Sequence, residues 1–301
     1  MIRQHHELDV KIGRLFSFIL CAIGLSLVGV FAVKLISSSL QVALTDYLLL
    51  SLGFAVACIG LRFNFSDFIF SEGGHQRVNF LFFKLGLALS FLLVTLKIFA
   101  GDSSSYMRSL EEGGVVEWAS FLLLLSSAYI FFWCSRIVRP LFLKTTYRIF
   151  SVLCFVVGME EMSWGQMLFR WKTPEQVSLI NDQGETNLHN IQLIHGHADL
   201  AYGAILLLMI IASLSSRRLA NLNRKSLFFD FLVKSAPSKY LLVYFLPACA
   251  LVLCLYFDVH EYTNGFTFKG EEEVAELLGA FGLFAYSVSQ ISLLWRLSRS
   301  C

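Results

Sequence analysis

Charge is what this 301-residue chain has least of: Asp, Glu, Lys and Arg together make up 15% of it, against 56% hydrophobic residues. Its mean hydropathy is +0.65. A soluble domain carries about a quarter charged residues, so the polar surface is too small to cover a water-facing globule. That shortage excludes a soluble enzyme, a disordered chain and a nucleic-acid module. Proline is also scarce, and four in the whole length exclude a Pro-rich linker architecture. No internal repeat is visible, and no separate soluble domain, so 1–301 reads as a single transmembrane helical domain.

What is present is a series of long apolar runs. A bilayer core of about 30 Å needs about 20 apolar residues per helix. Eight such runs occur, at roughly 15–36, 43–61, 78–100, 115–135, 149–169, 200–216, 240–257 and 274–295. Runs this long, rich in Leu and Phe, suit helices rather than ten-residue barrel strands. The expectation is an all-α, polytopic integral membrane protein of about eight transmembrane helices. The first run is too long for a signal-peptide core and no small-residue cleavage site follows it, so it reads as a retained helix.

An even number of spans puts both termini on one side, and Lys/Arg bias says which. With the N-terminus inside, 17 of the 24 basic residues fall on the inner side, among them Arg136, Arg139, Lys144, Arg148 and Arg296. Both termini are therefore expected in the cytoplasm, and the protein in the cell (plasma or inner) membrane with lipids as its immediate partners. On the same topology 17 of the 22 acids lie at the outer side. The net charge of +2 is a cancellation across the membrane. None of the seven Cys falls in an outer loop, so neither a disulfide framework nor a Cys-type metal knot is expected.

Within the outer set, Glu160 and Glu161 fall inside an apolar run, where ionisable residues are costly and usually face a cavity, a partner or a functional site. Two adjacent carboxylates cannot both ionise cheaply in a low dielectric, so one is able to take and release a proton. Ser163, Trp164 and Gln166 add polar groups one turn on. His189, His195, His197 and His260 all fall on the outer side, beside Glu185, Asn190, Asp199 and Asn264. On a helix Glu185 and His189, His195 and Asp199, and His260 and Asn264 are i,i+4 pairs. Imidazole plus carboxylate, as at His195, His197 and Asp199, is a ligand set for Zn or non-haem Fe, and equally serves metal-free acid/base chemistry. Glu117 and the run Glu271, Glu272, Glu273 and Glu276 open helices, where the helix dipole accommodates anions. Trp118, Trp164 and Trp171 read as an outer aromatic belt.

The order of these residues resembles the CPBP family, the membrane-embedded CAAX-processing and bacteriocin-processing glutamic proteases. Glu160-Glu161 match its paired acids, Ile191-Gln-Leu-Ile-His195 takes the FxxxH place with Ile for Phe, and His260-Glu-Tyr-Thr-Asn264 takes the HxxxN place. The Arg of the family's EExxxR helix is missing here. The resemblance implies a Glu that activates water with a His, while the second His and the Asn stabilise the oxyanion. The functional expectation is thus a hydrolase of peptide or lipid substrates, with catalytic Glu160, Glu161, His195, His260 and Asn264. Support would come from Glu117, Trp164, Gln166, Glu185, His189 and Asn190. A proton- or cation-coupled transporter and a non-catalytic membrane subunit are the alternatives.

Overall fold

The computed structural model describes residues 74–100, 104–110, 114–169, 171–181, 184–188, 190–191, 195–222, 235–257 and 270–299. Most of these residues are helical, with no strand among them; one isolated antiparallel bridge joins Asn181 and Ile191. In chain order the helices are α1 (Gly74–Ala100), α2 (Ser104–Ser109), α3 (Val115–Ile137), α4 (Leu141–Glu161), α5 (Gln166–Phe169), α6 (Glu175–Ser178), α7 (His195–Leu222), α8 (Leu242–Tyr256) and α9 (Glu271–Arg299). A 3-10 turn, Ser163–Gly165, joins α4 to α5, and another, Lys239–Leu241, leads into α8.

Among the described residues, five helices are long and apolar enough to cross a membrane: Gly74–Ile98, Val115–Ile137, Leu141–Glu161, Lys239–Tyr256 and Glu271–Leu297. In α7 the apolar stretch is the shorter Leu200–Ser215. The runs at 15–36 and 43–61, and both termini, lie outside the described residues. One boundary differs from the sequence expectation. The helix carrying Glu160 and Glu161 spans Leu141–Glu161 rather than 149–169, so the pair occupies its last turn. Lys144 and Arg148 are carried inside the helix. Pro140 at its N-cap, in extended conformation, sets the start. The polar stretch after Glu161 ends it.

α9 is the central helix, with 78% of its apolar window buried, packed against α3, α8 and α1. Small residues bring its neighbours close. A Cβ at Gly282 would meet the Phe245 ring of α8 at 2.4 Å. Between α3 and α4, a Cβ at Gly158 would lie 3.2 Å from Leu124. Phe131, Tyr147, Phe150 and Tyr286 form an aromatic cluster joining α3, α4 and α9. Inside it the Tyr147 hydroxyl donates to Gln290 Oε1 at 2.9 Å, which keeps two buried polar groups paired.

By contrast only 11% of the α1 window and 17% of the α4 window are buried. Leu87, Phe91 and Ile98 on α1, and Ile149, Val152 and Leu153 on α4, are exposed apolar residues. Water would penalise such faces and hydrocarbon would not. His75 is half-buried against α9, its Nδ1 3.1 Å from the Ser289 carbonyl and its Nε2 3.2 Å from Asn79 Nδ2.

Candidate functional site

The acids gather at one end of the bundle because helix direction puts them there. Glu117 lies in the first turn of α3 and Glu161 in the last turn of α4. Glu271, Glu272 and Glu273 occupy the first turn of α9, with Glu276 next on the same helix. The bases Arg136, Lys144, Arg148 and Arg296 sit toward the other ends of the same three helices. Both Glu117 and Glu161 are buried. Glu276 is within electrostatic reach of Glu161, Glu273, Glu272 and Glu117, and Glu273 is also within reach of Glu185.

Tyr202 of α7 lies beside this cluster, within reach of Glu276 and Glu161. Its hydroxyl donates to the Ala275 carbonyl at 3.0 Å. A cavity of about 30 Å³ opens beside it, lined by Tyr202, Val252, Leu255, Glu272 and Glu276. Its lining is part acidic, Glu272 and Glu276, and part apolar, Val252 and Leu255. That volume admits a water molecule or the end of a polar group. Carboxyl groups crowded together at low dielectric share protons between acid and base forms, which is the requirement for general acid/base work.

Glu160 points into a different environment from its neighbour. Its carboxylate accepts from the Trp164 indole N–H at 2.5 Å and from the Leu188 amide at 2.6 Å. These bonds fasten the loop of residues 184–188 to the end of α4. The backbone between them is left-handed at three successive residues, Ser163 (φ 45°), Trp164 (φ 56°) and Gly165 (φ 96°). For the two non-glycine residues that conformation costs about 1–2 kcal/mol each. Side-chain bonds hold it: the Ser163 hydroxyl donates to Glu185, and Asn187 Nδ2 donates to the same carboxylate at 2.7 Å. Asn181 Oδ1 accepts from the Glu185 amide at 3.0 Å, and Gln166 Oε1 accepts from the Thr186 amide at 2.7 Å. Ser163, Asn181, Glu185, Asn187 and Asn190 are all buried.

At the rim, Lys97 at the end of α1 forms an ion pair with Glu271 and lies 5.8 Å from the ring centre of Tyr106 on α2. Burial first, and the Glu271 charge second, push the Tyr106 phenol up to about 12.

The structure thus brings Glu117 and Glu161 into one cluster and puts Glu160, Trp164, Gln166 and Glu185 into the adjoining loop network. His195 opens α7, but its side chain and that of Asp199 lie outside the described residues, as do His189, His260 and Asn264. His197 is exposed. Among the described residues no group of three or more His, Cys, Asp or Glu is arranged to hold a metal ion. Cys134, Cys154 and Cys249 are buried free thiols.

Sequence reasoning gave Glu272, Glu273 and Glu276 a structural role and passed over Tyr202. The signal was available for the acids. Glu272 or Glu273 and Glu276 are three or four residues apart and share a helix face, and α9 turns that face into the bundle. No protein-family model, curated protein or solved structure matches the chain.

Proposed function

We propose that this chain is a membrane-embedded hydrolase whose site lies at the acidic end of the bundle and takes a lipid or a membrane peptide. The observation that carries the reading is the convergence of Glu161 and Glu276 on Tyr202, with Glu273 within reach of Glu276, beside a cavity lined by both acidic and apolar side chains. In this reading a carboxylate takes a proton from water, the hydroxide equivalent attacks the ester or amide carbonyl, and a neighbouring carboxylic acid protonates the leaving group. Val252 and Leu255 offer the apolar contact for an acyl or side chain. His195 and His260, with Asn264, are assigned the assisting roles from sequence alone. Glu160 is assigned to positioning, since both its oxygens are engaged by Trp164 and Leu188.

The same reading places the acidic end on the outer face of the cell membrane, with eight spans and both termini inside. The arrangement of bases at the opposite ends of α3, α4 and α9 supports it. The test is turnover of lipid and peptide pools by the purified protein. Glu161→Gln and Glu276→Gln should each lower the rate by about 100-fold or more, with melting in detergent retained. Full activity in both variants would overturn the assignment. The polar groups lining the cavity, Glu272, Glu276 and Tyr202, also favour cations, which supports a proton- or cation-coupled carrier as second reading. Flux into proteoliposomes that vanishes in Glu276→Gln, without hydrolysis of any pool, would select it.

A further inference from the structure

Between the end of α4 and the loop at Glu185, the chain presents an apolar surface that the acid/base reading leaves unused. Leu168 and Phe169 of α5, then Trp171, Leu179 and Ile180, are all exposed, Phe169 and Leu179 by 74% and 73%. Phe169 and Trp171 stack with ring centres 5.8 Å apart and planes at 9°. Lys172 follows directly and is exposed too. Each helix in this stretch, Gln166–Phe169 and Glu175–Ser178, is a single turn, too short to span anything.

We propose that this surface, formed by α5 and residues 171–180, is a lipid-binding platform that rests in the outer headgroup layer of the bilayer. The committed occupant is phospholipid, on three grounds. The platform follows α4 after the Ser163–Gly165 turn, and α4 is a helix of spanning length that leaves Val152, Phe155 and Val156 exposed. Its composition, an aromatic pair followed by a cation, matches the level where indole rings meet the ester region and ammonium groups meet phosphate. It lies at the helix end where α4 stops, which is where a spanning helix meets the interface.

The platform is also fastened to the site. Gln166 donates to Thr173 at 2.9 Å and accepts from the Thr186 amide, while Trp164 bonds Glu160. Lipid contact at Phe169 and Trp171 therefore fixes the depth at which the last turn of α4, with Glu160 and Glu161, sits in the bilayer. The proposal rests on the spanning bundle and, for the outer side, on the orientation given above, and stands independently of the hydrolase reading.

The test uses the full chain in phosphatidylcholine vesicles, comparing wild type with Trp171→Phe so that the difference isolates the Trp171 emission. Vesicles with bromine near the carbonyl end of the acyl chains should quench that difference signal more than vesicles brominated near the methyl end. Aqueous iodide should quench it weakly. Strong iodide quenching with none from brominated lipid would put the platform in water and overturn the proposal. Quenching by neither would mean that protein covers it, from residues 1–73 or from a second copy, and would overturn it equally. Stronger quenching near the methyl end would contradict the headgroup placement.

Discussion

The Tyr202 hydroxyl occupies the space beside Gly279 that any other residue would need: a Cβ built at Gly279 would lie 1.8 Å from it. From that position the phenol reaches the Ala275 carbonyl one turn away on α9. The contact ties α7 to the central helix at the level of the acid cluster. Gly279→Ala should therefore displace Tyr202 and lower stability by about 1–3 kcal/mol, the range for overpacking a filled interior. Thermal melting in detergent measures this. A double variant with Tyr202→Ala should lose much less than the sum of the two singles, because the substitutions remove the same contact. Additive losses would contradict the geometry.

Much of the architecture is legible in the chain, because apolar length is a local property. The runs at 78–100, 115–135, 240–257 and 274–295 each reappear as a helix within a few residues of the expected ends. The run at 149–169 does not, because hydropathy is blind to a left-handed turn. Ser163 and Trp164 carry no residue type that announces positive φ, and the turn is held by Glu185 and Asn187, more than 20 residues away in sequence. The site shows the same division. Glu161 stands out as an acid inside an apolar run. Tyr202 does not stand out, since its role comes from the helix packed across it. Nor do the different surroundings of Glu160 and Glu161, adjacent in sequence.

The left-handed turn makes a prediction of its own. Ser163→Ala removes the hydroxyl that Glu185 and Asn187 share, leaving buried polar groups short of a partner at a cost of about 1–3 kcal/mol. Ser163→Gly loses the same bonds but relieves the backbone at φ 45°, so it should be less damaging by roughly 1 kcal/mol. Melting temperatures of the two variants, measured side by side, decide it. A Gly variant less stable than the Ala variant would show that the turn carries no strain.

The ion pair between Lys97 and Glu271 links α1 to α9 with side-chain exposures of only 15% and 7%. Removing one partner of such a pair strands the other, at about 3–5 kcal/mol, whereas replacing both with apolar groups of similar volume is far milder. Lys97→Met and Glu271→Gln should each destabilise strongly, and Lys97→Met combined with Glu271→Leu should recover most of the loss. Thermal unfolding of the three proteins tests this. A double variant weaker than either single would mean that the two charges act through other neighbours.

Tyr106 gives a pH signature at the same place. Its phenol is pushed up to about 12, by burial first and by the Glu271 carboxylate second, while an unfolded tyrosine titrates near 10. Because the folded state holds the proton more tightly, the unfolded chain loses it first as the pH rises. The Tyr106 contribution to stability is therefore constant below about pH 10 and declines between about 10 and 12. Glu271→Gln removes the second cause and leaves the first, so the Tyr106 transition should move part of the way back toward 10. Tyrosinate absorbance can be followed in four proteins: wild type and Glu271→Gln, each with and without Tyr106→Phe. The two difference curves isolate this phenol, and coincident midpoints would show that Glu271 does not act on it.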